Sequence, residues 1–103
     1  MIKLLYATFP GKEEAISIAN KLLEEKLIAC ANVLDGSTSV YNWQGETKEQ
    51  NEAILFAKTR EGQSQKAISR IKELHSYELP CILVLPVDGG FPLFMEWVEK
   101  ETS

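Results

Sequence analysis

The sequence is poor in the residues that build cross-linked or metal-caged proteins: of 103 residues, one is histidine, two are cysteine and four are proline. Cys30 and Cys81 each stand alone in an apolar run, which excludes the dense framework of a secreted disulfide scaffold and makes a reducing cytoplasm the expected setting. Basic residues are outnumbered, eleven against fifteen acidic, for a net charge of −4. Such a chain lacks the positive field that holds a phosphate backbone, so nucleic acid is not an expected partner. No apolar run approaches the roughly 18 residues of a membrane-spanning helix, and Met1 to Phe9 lacks the basic flank and long apolar stretch of a signal peptide. No membrane partner is expected, and the length fits one domain, residues 1–103.

Catalytic sequence elements are missing too. There is no Gly-x-Ser-x-Gly elbow, no Walker loop and no His-Glu-x-x-His run, so the chain is not expected to be an enzyme. The turn Phe9-Pro10-Gly11-Lys12 has no arginine with which to make a phosphate loop, and no Cys-x-x-Cys of a copper chaperone occurs.

What is present alternates between strand and helix patterns. Residues 2–8 read as a strand ended by Pro10-Gly11, and Ala15, Ile18, Ala19, Leu22 and Leu23 recur at helical spacing over about 11–26. A strand resumes at Leu27 and runs to Trp43, with a bulge expected at Asp35-Gly36. Gln44-Gly45 fits a two-residue hairpin turn, and a return strand runs from Glu46 to about Thr59. That turn sets Trp43 opposite Glu46, Tyr41 opposite Lys48 and Ser39 opposite Gln50 on one face. Ala67, Ile68, Ile71 and Leu74 predict a helix over about 62–75, Cys81 to Val87 a last strand, and Phe94, Trp97 and Val98 one face of a terminal helix. The order β-α-β-β-α-β plus a carboxy-terminal helix is the α+β, ferredoxin-like arrangement around an antiparallel sheet.

Each arm of the central hairpin would extend roughly 45 Å at about 3.3 Å per residue, whereas a compact chain of this size has a radius of gyration near 13 Å. The ribbon must overhang its own domain. Its unpaired edge and the aromatic Tyr41 and Trp43 predict a homo-oligomer joined by strands pairing between subunits. Ring closure as a trimer is one economical solution, and spacing does not choose it over a dimer.

Ala29-Cys30-Ala31-Asn32, Tyr41-Asn42-Trp43-Gln44-Gly45, Lys58-Thr59, Leu74-His75-Ser76-Tyr77-Glu78-Leu79-Pro80 and Trp97 follow one another in an order that resembles the CutA divalent-cation tolerance family over nearly the whole chain. The resemblance implies a homotrimer, a role in binding or tolerating copper or another divalent cation, and architectural similarity to the PII signalling proteins. It also brings Cys30 near His75 as a candidate metal pair, and sets Tyr41, Trp43, Lys58, Tyr77 and Glu78 along a cleft between subunits, where a small anion or a protein partner would be held. Ser76 stands where the family usually has proline, and Phe94 where tyrosine is common.

Each candidate has a structural alternative. Cys30 is a soft thiolate donor suited to copper or a small core residue, and His75 an imidazole ligand or the closing group of a helix end. Cys81 reads as core. Glu46, Glu49 and Glu52 read as solvated fringe, since alternation splits them between two faces. The aromatic residues are ligand-pocket walls or interface anchors.

Overall fold

In the computed structural model, which describes residues 1–103, the chain runs β1 (Ile2–Phe9), α1 (Lys12–Glu24), β2 (Cys30–Trp43), β3 (Glu46–Arg60), α2 (Glu61–Leu74), β4 (Ile82–Pro86) and α3 (Pro92–Glu101). The strands form one antiparallel sheet in the order β2-β3-β1-β4, which is the ferredoxin-like arrangement expected from the element order.

Period-two alternation gives the sheet two faces. Leu5, Ala7 and Phe9 of β1 and Ala53, Leu55 and Ala57 of β3 point toward the helices, where they are fully buried against Ala15 and Leu22 of α1 and Ala67 and Ile71 of α2. Helix α1 begins after Gly11 with Glu13 and Glu14 in its first turn, where acids meet the positive end of the helix. It stops short of the predicted end because Lys26 turns left-handed at φ 59° and the Leu27 amide bonds back to the Leu22 carbonyl at 2.9 Å. Strand β2 therefore starts at Cys30 instead of Leu27, and the link buries Ile28 and Ala29.

The hairpin has the predicted register, with Trp43 opposite Glu46, Tyr41 opposite Lys48 and Ser39 opposite Gln50. Its turn has positive φ at both Gln44 (50°) and Gly45 (82°), which matches the right-handed twist of the flanking strands. The expected bulge falls between Leu34 and Ser37: Leu34 faces Ile54 and Ser37 faces Glu52, so Asp35 and Gly36 together oppose Ala53. Gly36 takes φ +78° there, a conformation that favours glycine. The ribbon stretches the molecule to 45 × 25 × 21 Å, with a radius of gyration of 14.1 Å.

The face away from the main helices is apolar and uncovered. Leu4 and Tyr6 of β1 lie opposite Lys58 and Phe56 of β3 and opposite Leu85 and Leu83 of β4, and those two leucines are 41% and 56% exposed. Of the α3 residues expected to share a buried face, Val98 alone is buried, against Ile2 and Ala29. Phe94 and Trp97 stay exposed with ring centroids 5.8 Å apart. Cys81, expected in the core, is exposed just before β4, because the apolar run it begins pairs with β1 only from Ile82 onward.

Candidate functional site

Beyond α2 the chain crosses the end of the sheet to reach β4, and this crossing meets the root of the ribbon. Between them lies an open cleft of about 780 Å³. Four of the residues expected in a cleft line it: Tyr41 and Trp43 from the ribbon, and Tyr77 and Glu78 from the crossing. Lys58 does not. It sits in a separate hollow with Leu4, Asn32 and Phe56 and donates a hydrogen bond to Asn32 Oδ1. The reason is register: Lys58 pairs with Cys30 at the far end of the ladder from Glu52.

At the cleft floor is Glu52, a residue expected in the solvated fringe. It is 8% exposed and accepts hydrogen bonds from Ser39 Oγ at 2.6 Å and Tyr77 Oη at 2.8 Å. Gln50 Nε2 donates to Tyr77 Oη, and Tyr41 Oη donates to Gln50 Oε1 at 2.7 Å. The chain of bonds ties the ribbon to the crossing segment. Burial, and then the bond to Glu52, push the Tyr77 hydroxyl up to about 12. Partial desolvation against the cleft wall, and then the Glu52 charge, also raise the thiol of Cys81, which lines the same cleft. A signal for Glu52 was present in the sequence: the hairpin register carries it to the face of Tyr41 and Gln50, one step before the buried Ala53.

His75 is placed by the helix end. Its amide bonds to the Ile71 carbonyl at 2.9 Å and its ring stacks on Phe9 at 4.6 Å. Ring Nε2 is 2.7 Å from the Thr8 carbonyl oxygen, so it donates. Ring Nδ1 accepts the Tyr77 amide at 3.0 Å. Glu14 lies 3.6 Å from Nδ1 but takes its own hydrogen bonds from the Ser76 amide and hydroxyl, at 3.0 and 2.9 Å. Both ring nitrogens are engaged, and no lone pair faces a metal.

The candidate pair is not formed within one chain. Phe9, which His75 stacks on, belongs to the helix-side core. Cys30 lies opposite Lys58, and Lys58 opposite Leu4, in the set that alternates to the other face. Along β3, moreover, Lys58 is four residues from the partner of Thr8, Ile54, or about 13 Å.

The fold and this arrangement can be set beside known proteins. The family model described as CutA1 divalent ion tolerance protein matches residues 3–101. The chain belongs to the CutA1 family. The divalent-cation tolerance protein CutA of Thermus thermophilus is 39% identical over 103 residues, covering all of both chains, and the solved structure of the protein from that organism superposes with a TM-score of 0.96 over 100% of each chain. The crystal structure of CutA1 from Ehrlichia chaffeensis gives a TM-score of 0.95 at 39% identity, covering 99% of this chain and 95% of that one. The chloroplastic CutA of Arabidopsis thaliana is 33% identical over 99 residues, and this chain spans 54% of its length.

The name of the CutA1 family points to a divalent ion, and the donors of one chain do not fit a tight site for one. No group of three or more His, Cys, Asp or Glu side chains converges, whereas hard cations take six or more oxygens and structural zinc takes four ligands.

Proposed function

We propose that this CutA1-family chain acts in divalent-cation tolerance as a cytoplasmic homotrimer, a binding protein with no catalytic step of its own, whose subunits join by strand pairing. Copper or another divalent ion is its cargo, held by donors that one chain keeps apart and assembly brings together. Cys30, half-buried on the uncovered sheet face, is the soft donor in this reading. His75, with both ring nitrogens held in hydrogen bonds, is structural in this reading.

The observation that carries the proposal is the uncovered sheet face with its overhanging ribbon. Only 22 of 103 residues are buried, while Leu34, Leu83 and Leu85 on one sheet face are 49%, 56% and 41% exposed. A contiguous apolar surface of that kind marks an interface. Two thiols that are both free fit a reducing compartment. Sedimentation equilibrium tests the assembly: the expected mass is about three times the 11.6 kDa chain, and a monomer at micromolar concentration overturns it. Copper calorimetry on wild type and Cys30→Ala tests the cargo, with loss of uptake expected in the variant.

A second reading is favoured by the cleft itself. Its aromatic walls and volume of about 780 Å³ suit a small molecule or a partner's side chain, as in a PII-like regulator for which metal is incidental. Unchanged copper uptake in Cys30→Ala, together with a ligand found for the cleft, would select this reading.

A further inference from the structure

The cleft reading leaves its ligand unnamed, and one buried group specifies the charge. Glu52 is 8% exposed, and its only hydrogen-bond donors are the neutral hydroxyls of Ser39 and Tyr77. The acids that form ion pairs in this chain are Glu25, Glu46, Glu61, Glu73 and Glu99, so Glu52 has no cationic partner. A buried carboxylate without a counter-ion is costly, and a cation entering the cleft relieves that cost. Its field reaches the cleft walls, where it helps to raise both the Tyr77 hydroxyl and the Cys81 thiol.

Tyr77 is bonded to this carboxylate, Tyr41 is linked to Tyr77 through Gln50, and Tyr6 lines the same cleft, with Trp43 farther out along the ribbon opposite Glu46. Aromatic faces carry negative charge and attract cations, guanidinium above all because its plane stacks as well. Each Glu52 oxygen accepts one hydroxyl and keeps a second lone pair for a planar N–H donor. We infer that the cleft binds a small organic cation of the guanidinium class, its charge against Glu52 and its plane against the aromatic walls. The inference rests on the second reading above.

Three observations favour this ligand over its rivals. A metal ion finds one buried carboxylate there and no converging third ligand. An anion meets Glu52 and Glu78, while Lys48 at the outer end of the ribbon lies 3.7 Å from Glu46. The chain's own arginines are engaged elsewhere, Arg70 with Glu25 at 2.9 Å and Arg60 with the Thr102 carbonyl at 2.8 Å, so neither supplies the cation to its own cleft.

The test is titration of the full-length isotope-labelled protein with methylguanidinium, and with methylurea as its neutral shape match, followed by the backbone amide resonances of Glu52 and Tyr77. Methylguanidinium should bind saturably and at least about tenfold more tightly than methylurea, and Glu52→Gln should weaken it about tenfold or more. Equal affinity for the two probes, or undiminished binding in Glu52→Gln, overturns the inference. Tyr41→Leu, at an exposed position, is the second variant: calorimetry should show the same weakening, and undiminished affinity again counts against the site. Sedimentation of the same samples separates the claims. An assembled protein that ignores methylguanidinium defeats this inference alone, and a monomer defeats the trimer whatever it binds.

Discussion

Replacing His75 with alanine separates a structural imidazole from a metal ligand. The ring donates to the Thr8 carbonyl at 2.7 Å and accepts from the Tyr77 amide at 3.0 Å, and each bond is worth about 1 kcal/mol net. Stacking on Phe9 at 4.6 Å contributes about 1 kcal/mol more. The side chain is fully buried, so the variant also leaves a void and an unpaired carbonyl, and the total is roughly 3 kcal/mol or more. For a chain of this length that is a fall in melting temperature on the order of 15 °C. Thermal melts should be compared at one fixed protomer concentration, because assembly makes the midpoint concentration-dependent. Copper titration of the folded variant completes the assay, and uptake should match wild type. A melt within about 3 °C of wild type, or intact stability with lost copper uptake, would refute the reasoning.

Further outcomes follow from the same geometry. Tyr77 is raised from 10.0 to about 12, so the folded state keeps a proton that the unfolded state has lost; stability should hold below about pH 10 and fall between about pH 10 and 12. Denaturant titrations across that range should show the loss in wild type and less of it in Tyr77→Phe. Gln44→Asn should stabilise the hairpin by about 0.5 kcal/mol, since asparagine tolerates the φ of 50° better, and urea unfolding that shows no gain rejects this. Gly36→Ala meets no neighbouring atom, so its cost should be the left-handed strain alone, about 1 kcal/mol. Leu83→Glu, on the uncovered face, should shift sedimentation toward the monomer, and an unchanged mass would remove that face from the interface.

The elements were legible in the sequence wherever one physical signal dominated. Alternation and the Gln44-Gly45 turn set the ribbon register through to Ser39, and Asp35-Gly36 announced the bulge. The start of β2 was not legible, because Leu27, Ile28 and Ala29 are apolar for a tertiary reason: they fill the exit from α1. The site was legible in part. Tyr41, Trp43, Tyr77 and Glu78 do share a cleft, but the places of Lys58, Cys81 and the Cys30–His75 pair depend on which face of the sheet each strand end presents. Glu52 was missed because burial of a carboxylate is improbable from residue type alone, and here it depends on Ser39 and Tyr77, thirteen and twenty-five positions away.

The bulge at Asp35-Gly36 works as a parity switch. Upstream of it, even-numbered residues of β2 (Cys30, Asn32, Leu34) face the same way as Lys58, Phe56 and Ile54; downstream, odd-numbered ones do, from Ser37 to Trp43. One surplus residue therefore lets side chains of both parities share a face, Cys30 on one side of it and Tyr41 on the other. Deleting a single codon there would straighten the ribbon without turning it over, since Ser37 would still meet Glu52 and Tyr41 would still meet Lys48.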